Sequence, residues 1–502
     1  MLDDSCLLGW LQLLPLIAAL ALLLVRDDRL ALSLGVGCAL LELGGAIRLY
    51  QLLDLNRDGW QWSQRIPLVR EILVYTVGAD GMTVLFVLLT AFLTLLVVVY
   101  GGLVRRFTPL ASYLSPVLAC EAVLMGQFVT LDLLWFTLLA LVHSVLIGHL
   151  LTNWSGESIE RLALHRYYQF MGSGLLMLLV ATLMLGWHHA DITNGGWRFE
   201  LEVLLKDPRS RYLQNVIFFL LYYGLAIRLP VFPLHGWLPQ VMEHGTVVTA
   251  MVLLLGLKTG IYGMVRFLIP LFPDAVWQWH TYAIAIAAVG IFYSALLALV
   301  QQNLRKLLAY AVISHTGILI IGLFTLHPHA FQGSVILTGT FGLSIGTLLL
   351  MAGIVYVRTQ TMVMSRLGGL FHHLPLVGSA FLIAALSVVG MPGTPGFDAV
   401  HLFLEAAIDH FGALLTVAAA LGNVAAAACL LWAFQRVFLA TPAGGSGVAT
   451  GMRRATLAEN GLAALLIAVQ LTSGFYADPW LDLVKRASQH LAHPYAERGE
   501  RP

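Results

Sequence analysis

Long apolar stretches separated by short polar segments dominate this chain. A helix needs about 20 mostly apolar residues to cross the hydrocarbon core of a bilayer. The candidate stretches are residues 7–25, 30–49, 82–104, 109–129, 131–152, 168–187, 213–234, 246–268, 278–300, 306–326, 332–356, 375–410, 412–438 and 457–475. They are apolar on all sides, whereas porin-type strands are short and alternate apolar with polar residues. The pattern predicts an all-α, polytopic membrane protein of about 14 transmembrane helices.

Two of these stretches are interrupted by proline pairs that lie close to ionisable side chains. One interruption covers residues 227–235 and the other covers residues 390–398. Proline removes a backbone donor and clashes with the preceding turn, so a spanning helix breaks or kinks there. Opened backbone at that depth is tolerated only beside protein or a water-filled interior. One break in each half of the chain favours a transporter built from repeats, with residues 375–410 as one discontinuous helix.

Basic residues in the short connecting segments predict the orientation of the chain, because such residues concentrate on the cytoplasmic side. The short connections on one side carry Arg26, Arg29, Arg105, Arg106, Arg161, Arg166, Arg305, Lys306, Arg358, Arg366, Arg436, Arg453 and Arg454. The opposite side has its basic residues mostly in the longer segments 50–79 and 188–212 and in the tail. We therefore expect a multi-pass protein of the cell inner membrane with both termini on the periplasmic side. The tail from Asp478 is expected to be a surface helix or disordered.

Composition agrees with this picture and excludes several classes of function. Hydrophobic residues make up 59% of the 502 positions and charged residues only 11%, too few for a soluble protein of this length. A formal net charge of +1 gives no indication of a nucleic-acid partner. The four cysteines are scattered and no glycine-rich phosphate loop follows a strand. The sequence therefore predicts no metal site, no cofactor and no nucleotide chemistry in this chain.

Many ionisable residues fall inside or at the ends of the predicted spans. They are Glu42, Glu121, Asp132, His143, His149, Arg228, Lys258, His315, Asp398, His401, Glu405, Asp409 and His410. Each alone could be a satisfied structural group or one that reaches the membrane interface, especially near a helix end. An unpaired charge at the bilayer centre costs roughly 2.5–3.5 kcal/mol on insertion scales. A chain that carries several is expected to use them together, facing a hydrated interior.

The interior cations differ in their chemistry. Arginine keeps its proton under essentially all conditions, whereas a buried lysine can exchange one near neutral pH. Lys258 is therefore the better candidate for a proton relay, and Arg228 for a fixed counter-charge. His315 could transfer protons between helices, or it could be a neutral imidazole bonded to a carbonyl.

Several of these stretches resemble the antiporter-like membrane subunits of respiratory NADH:quinone oxidoreductase (complex I). The matching segments are residues 77–82, 230–239, 258–267, 303–317 and 390–397. The resemblance covers roughly residues 75–440 and is closest to the chain M type. It extends to the family's relatives in Mrp sodium/proton antiporters and membrane-bound hydrogenases.

The resemblance implies two five-helix repeats in inverted orientation, each with one broken helix, at residues 109–268 and 278–438. Residues 1–108 would be N-terminal transmembrane helices, and residues 439–502 a last helix with a short polar tail. The family moves ions along a central polar axis. Carried over to this chain, that axis comprises Glu121, His143, Arg228, Lys258, His315, Asp398, His401 and Glu405. The chain would be a non-catalytic translocating subunit without a redox centre, partnered by other membrane subunits and a peripheral soluble subunit.

The chain departs from the family pattern in its first half. The family has a glutamate nine residues after the position of Asp132, where this chain has Leu141, and a lysine where it has Arg228. The nearest candidate substitute for the glutamate is His143, and the twelfth-helix charged position falls at or beside Val400. The exchangeable glutamate–lysine switch is therefore expected to be missing from this half.

This departure leaves several functions open. The leading interpretation is a proton- or cation-translocating subunit, specialised relative to the respiratory copy. One such specialisation couples ion flow to uptake of inorganic carbon, together with a zinc-containing soluble protein. A non-conducting transmembrane scaffold that anchors a peripheral enzyme is the alternative, and a standalone antiporter comes third.

Overall fold

The computed structural model describes residues 6–69, 73–104, 109–154, 161–440 and 453–499. Its first half contains two strands, β1 and β2, among the helices α1 to α10. In chain order these are α1 Leu7–Leu22, α2 Asp28–Leu52, β1 Gln61–Val69, β2 Leu73–Ala79, α3 Gly81–Val104, α4 Leu110–Val129, α5 Leu133–Asn153, α6 Arg161–Thr193, α7 Leu201–Leu204, α8 Arg211–Arg228, α9 Leu238–His244 and α10 Val247–Gly263. The second half contains α11 Ile269–Leu271, α12 Pro273–Leu299, α13 Leu304–Phe324, α14 Pro328–Thr359, α15 Pro375–Val389, α16 Phe397–Phe434, α17 Leu457–Phe475 and α18 Asp478–Gly499.

Within these described ranges, ten helices are long and apolar enough to cross a membrane, and α1 and α15 are shorter apolar helices. The prediction of a polytopic helical membrane protein is confirmed. The helices at the centre of the bundle are almost entirely enclosed by others: 94% of the apolar window of α13 and 89% of those of α4 and α14 are buried. These three helices therefore form the inner layer against which the candidate site is built.

The segment between α2 and α3 folds into an antiparallel hairpin that the sequence analysis treated only as a long connection. Gln61 pairs with Ala79 and Ile66 with Tyr75. The second strand is rich in β-branched and aromatic residues, which favour strands, and this signal was available in the sequence. The hairpin packs against the start of α5, where the Leu131 amide donates to the Thr76 carbonyl at 2.9 Å.

Both proline-containing segments interrupt their helices, as predicted. The first break separates α8 from α9, and the Trp237 indole N–H donates to the Ile227 carbonyl across it at 3.1 Å. The second break separates α15 from α16 and begins at Gly390, whose φ of 75° lies in the left-handed region that glycine adopts without strain. Each break thus separates two helical segments, and at the second break Met391 and Pro392 are exposed.

The chain reverses direction within α16. Val400 packs against Gly390, and the Asn423 amide donates to the Val389 carbonyl at 2.6 Å. In a straight helix Val400 and Asn423 would lie about 35 Å apart. Because both contact the end of α15, the chain must turn back between them.

The start of α5 and the start of α13 are held by the same arrangement. Asp132 caps α5 and Asn303 caps α13, each through a side-chain oxygen that accepts from the first turn. The backbone around Asp132 pairs with Glu200, which follows α6, and the backbone around Asn303 pairs with Val363, which follows α14. In addition, α10 and α16 each continue into a single π-helical turn. For Asp132 this confirms a structural capping role.

The C-terminal helix α18 lies across helix ends on one face of the bundle. The Gln332 amide donates to the Leu481 carbonyl at 2.9 Å, and the Tyr495 hydroxyl donates to the Ile269 carbonyl at 2.8 Å. Its backbone approaches the first residue of α3 so closely that a Cβ at Gly81 would overlap the Leu483 carbonyl. Of the two alternatives for the tail, the helix is the one observed.

Some of the basic residues used to predict orientation have defined partners. Lys306 pairs with Glu243 at 2.9 Å, and the Arg305 guanidinium donates to the Gly245 carbonyl at 2.7 Å. Arg105 and Arg106 lie outside the described residues. The side chains of Asp409 and His410 also lie outside the part of the chain whose side-chain environment is described.

Candidate functional site

Arg228 is buried at the end of α8, at the point where the first break opens the helix. One terminal nitrogen donates to the Ala140 carbonyl and to the Ser144 hydroxyl at 3.2 Å each, and the other donates to the Thr259 hydroxyl at 3.3 Å. The structure records no carboxylate partner for Arg228 among the described residues. Its charge is therefore stabilised by neutral groups of α5 and α10, which hold the guanidinium in one place.

His143 lies next to Arg228 on the inward face of α5. A Cβ at Gly256 would overlap its ring, so this glycine lets α10 approach the imidazole closely. The ring Nε2 is buried and has no hydrogen-bond partner within the described chain. His143, Arg228 and Trp237 line a cavity of about 10 Å³. The structure therefore brings the predicted substitute, His143, together with the fixed cation.

The position that matches the family's glutamate lies outside this site. Leu141 is 49% exposed, whereas Ala140 and Ser144, four residues apart on α5, are buried. Arg228 donates to the Ala140 carbonyl and to the Ser144 hydroxyl. The buried face of α5 therefore meets the guanidinium, and the Leu141 side chain lies on the outer surface.

A pair of buried carboxylates lies between α2 and α4. Gly35 of α2 packs against Leu114 of α4, and both helices run antiparallel to α3, so they are parallel to each other. Seven residues further along each helix, on the same face, are Glu42 and Glu121. Both are 1% exposed, and none of their carboxyl oxygens has a hydrogen-bond partner within the described chain.

Sequence reasoning placed Glu121 in the pathway but left Glu42 among the generic buried charges. The signal that could have identified Glu42 is helical spacing, since it lies two turns after the glycine at which α2 approaches α4. Thr90 of α3, also buried with an unpaired hydroxyl, belongs to the face of α3 that meets these helices.

Lys258 lies in the interior of α10. Its ammonium contacts Gly342 of α14, where any larger side chain would overlap it. The structure records neither a hydrogen bond nor an ion pair for Lys258 among the described residues. The side chain lines a cavity of about 30 Å³ together with Thr316 and Thr338. A volume of this size is roughly that of one water molecule. The lining is largely apolar, because the Thr316 and Thr338 hydroxyls donate to backbone carbonyls of their own helices.

His315 lies on α13, on the other side of Phe341. The imidazole and the Phe341 ring stack with centroids 3.8 Å apart and an interplanar angle of 13°. Both ring nitrogens are buried without a hydrogen-bond partner in the described chain, so the bonded imidazole considered from sequence is not observed. Because Phe341 also lines the Lys258 cavity, one aromatic ring separates the histidine from the lysine.

The helix α10 connects these groups. Leu257 lines both the Lys258 cavity and the His143 cavity, so one leucine side chain stands between them. Leu89 of α3, the residue before Thr90, lies close to Gly342 at the point where Lys258 contacts it. His143, Lys258 and His315 thus lie in line, with Leu257 and Phe341 between them and Arg228 beside His143.

Asp398, His401 and Glu405 are not part of this line. All three lie on one face of α16; Asp398 is half-buried, and His401 and Glu405 are exposed. The His401 ring stacks on Phe397, itself 38% exposed, with centroids 6.3 Å apart. This face of α16 is part of the outer surface of the chain. Among the described residues, no three His, Cys, Asp or Glu side chains come together as a metal site.

A separate ion-pair network lies where the hairpin meets the segment before α7. Glu200 accepts from Arg65 at 2.5 Å and from Arg198 at 3.2 Å. Burial alone would raise the pKa of Glu200, but the hydrogen bonds from the two arginines bring it below its ordinary value. This carboxylate is fully paired and therefore structural.

Comparison with known proteins identifies the family. Residues 130–425 match the family model described as NADH:quinone oxidoreductase/Mrp antiporter, TM. NADH-quinone oxidoreductase subunit M of Rickettsia prowazekii (strain Madrid E) is 30% identical over 437 residues, covering 85% of this chain and 87% of the relative.

Solved structures agree with the sequence relatives. A chain of respiratory complex I from Thermus thermophilus superimposes with a TM-score of 0.86 and 29% identity, covering 98% of this chain and 99% of the other. A chain of the Mrp complex from Dietzia sp. DQ12-45-1b superimposes equally well, with a TM-score of 0.86, 20% identity and 98% of each chain covered, which shows a shared fold. This chain is therefore a member of the NADH:quinone oxidoreductase/Mrp antiporter transmembrane family.

Proposed function

We propose that this chain translocates protons or cations across the membrane as one subunit of a multi-subunit, complex I-like or Mrp-like assembly. The observation that supports this most is the set of buried ionisable groups that lack partners within the described chain: Glu42, Glu121, Lys258 and His315. An unsatisfied buried polar group costs about 1–3 kcal/mol. Several in one bundle indicate that exchangeable protons and water reach them.

The proposed path follows the order of these groups. The carboxylate pair accepts a proton at one end, Lys258 exchanges it through the cavity it shares with Thr316 and Thr338, and His315 receives it on α13. Rotation of the Phe341 ring would connect the cavity with the imidazole. Arg228 acts as a fixed positive charge beside the path, and His143 is the titratable group next to it.

Asp398, His401 and Glu405 join this path where a neighbouring subunit covers their face of α16. Charged side chains on a membrane-spanning helix are expensive to leave against lipid. A partner helix over this face would connect the three groups to the next subunit. This proposal also accounts for their absence from the interior line.

We propose fourteen spans and two inverted repeats, at residues 109–268 and 278–438, flanked by residues 1–108 and 439–502. This division is supported by features that occur once in each repeat: the caps at Asp132 and Asn303, the paired backbone around each cap, the break and the π-helical turn. Five proposed spans separate the two caps, which places them on opposite faces of the membrane. The repeats are therefore related by inversion.

The similarity to subunits of larger complexes also supports partners. The proposed assembly contains other membrane subunits and a peripheral soluble subunit, in the inner membrane, with both termini on the periplasmic side. The chain itself supplies no redox chemistry, so the driving reaction belongs to a partner. The hydrogen-bonded Arg228 in place of an exchangeable lysine favours a specialised paralogue, and inorganic-carbon uptake is the coupled process we propose.

A non-conducting scaffold that anchors a peripheral enzyme is the alternative function. The observation that favours it is the first-half site, where Arg228 is fixed by three hydrogen bonds and cannot exchange its proton readily. In this alternative the interior lysine and histidine are remnants.

Replacing the interior lysine separates the two functions. Lys258→Ala is expected to abolish ion-coupled activity of the assembled complex in proteoliposomes, read with a pH-sensitive dye, while the complex still co-purifies. Lys306→Ala is the matched control, because Lys306 is a partly exposed lysine paired with Glu243 outside the path. Unchanged ion movement in Lys258→Ala would support the scaffold.

A further inference from the structure

A pocket of about 290 Å³ lies at the membrane boundary on the α18 face of the bundle. It is enclosed by the end of α2, the start of α3, the π-helical turn after α10, and α18. Its size is at the lower end of the range for small-molecule sites, roughly 300–1,000 Å³. None of the groups of the proposed ion path lines it.

The walls of this pocket are held in place by specific contacts. Arg266 donates to both carboxylate oxygens of Asp80, at 2.8 and 2.9 Å, and lies over the Trp60 ring at 4.3 Å. On the opposite side, Leu483 of α18 rests directly on Gly81. The pocket is therefore a fixed part of the fold and not a gap between loosely packed elements.

One part of the lining is apolar and continues to the surface. The inner wall consists of Leu201 and Val265, which are buried, and Leu53, which is half-buried. Leu55 and Leu205 are 40% and 47% exposed. An apolar wall that reaches the surface at a membrane boundary suits the acyl chains of a lipid.

The other part of the lining carries charges of both signs. The Asp58 carboxylate forms ion pairs with Arg486 at 3.1 Å and with His490 at 3.3 Å. Arg57 and Asp482 also line the pocket, and the structure records no side-chain partner for either within the described residues. The rim thus presents one unpaired cation and one unpaired anion.

We infer that this pocket binds the headgroup of a zwitterionic phospholipid, one that carries both a phosphate and a primary ammonium group. The phosphate contacts Arg57, and the ammonium contacts Asp482, while the acyl chains cover Leu55 and Leu205. Four carboxylates in the lining, those of Asp54, Asp58, Asp80 and Asp482, disfavour an anionic lipid. The apolar wall disfavours free phosphate. This inference does not depend on ion transport.

Native mass spectrometry of the purified full-length protein tests it, with nanodiscs of mixed phosphatidylethanolamine and phosphatidylglycerol as the lipid source. We expect one phosphatidylethanolamine to be retained. Arg57→Ala combined with Asp482→Asn removes both charged contacts and should reduce its retention by at least about tenfold, the loss that corresponds to a single charge-assisted hydrogen bond. Leu205→Trp, which blocks the open side and leaves all charges in place, should reduce it to a similar degree.

The matched controls are Lys485→Ala and Asp478→Asn, because both residues are exposed on α18 and neither lines the pocket. They should retain the lipid as the unmodified protein does. Equal retention of phosphatidylglycerol, equal loss in the controls, binding of inorganic phosphate alone, or a partner-protein segment in the pocket would each overturn the inference.

Discussion

Arg228 and Lys258 are two buried cations thirty residues apart, and their surroundings differ strongly. Arg228 donates three hydrogen bonds to neutral groups, whereas Lys258 donates none to the described chain and lines a small cavity. Both lie among the same helices, so depth in the bundle does not explain the difference. It lies in what surrounds each group: the arginine is held by its hydrogen bonds, whereas the lysine has no recorded partner in the described part of the chain, which is the basis of the proposal that it exchanges a proton.

Replacing each cation by methionine tests this contrast most directly and should give the largest effect. Arg228→Met removes three charge-assisted hydrogen bonds and should lower the apparent Tm. Lys258→Met removes an unpaired charge and should leave the Tm unchanged or raise it. The difference should correspond to about 2 kcal/mol or more. Thermal unfolding of the detergent-purified protein measures both; a larger drop for Lys258→Met would reverse the assignment of roles.

A glutamate at position 140 should convert the fixed site into an exchangeable one. Ala140→Glu places a carboxylate on the face of α5 that meets Arg228 and should shift the pH dependence of ion-coupled activity. The matched control is Leu141→Glu, which places the same charge on the exposed face. On insertion scales that change costs about 2.5–3.5 kcal/mol, and it should reduce expression without altering the pH profile. Identical profiles for the two variants would contradict the geometry of this site.

The carboxylate pair offers a third test, because two neighbouring buried acids are not expected to gain and lose protons independently. Glu42→Gln and Glu121→Gln should each slow ion movement, and the double variant should slow it little more than the stronger single variant. Such coupling between contacting residues is commonly about 0.5–3 kcal/mol. Rates measured across the double-mutant cycle in proteoliposomes give the value. Strictly additive losses would separate the two carboxylates.

The sequence predicted what depends on chain composition and local chemistry. Apolar length located the helices, and proline located both breaks, because a missing backbone donor has the same consequence in any surroundings. It could not predict which face of a helix meets which neighbour. For that reason the exposure of Leu141 was not predicted, and the partnership of Glu42 with Glu121 was missed.

The same limitation explains the largest difference between the predicted and observed site. Asp398, His401 and Glu405 follow the second break closely and share one helical face, so the sequence correctly indicates a cluster. Whether that face points inward depends on the packing of α16 against α13 and α14. There, Phe403 occupies the inward face instead. Spacing alone cannot distinguish an interior cluster from one that awaits a neighbouring subunit.

The smallest expected effect concerns Glu200, a paired carboxylate outside the spans. It extends the comparison of paired and unpaired charged groups to an acid whose partners are recorded. Because its pKa is below the ordinary value of 4.5, its contribution to stability is present above about pH 4.5 and is lost as the pH falls further. Hydrogen exchange of the hairpin amides, corrected for intrinsic rates, should therefore lose protection at acid pH. Glu200→Gln should show weaker protection at neutral pH and a flatter pH dependence. If the variant kept the same acid transition, the hairpin would depend on another carboxylate, and the two arginines could not be its main electrostatic support.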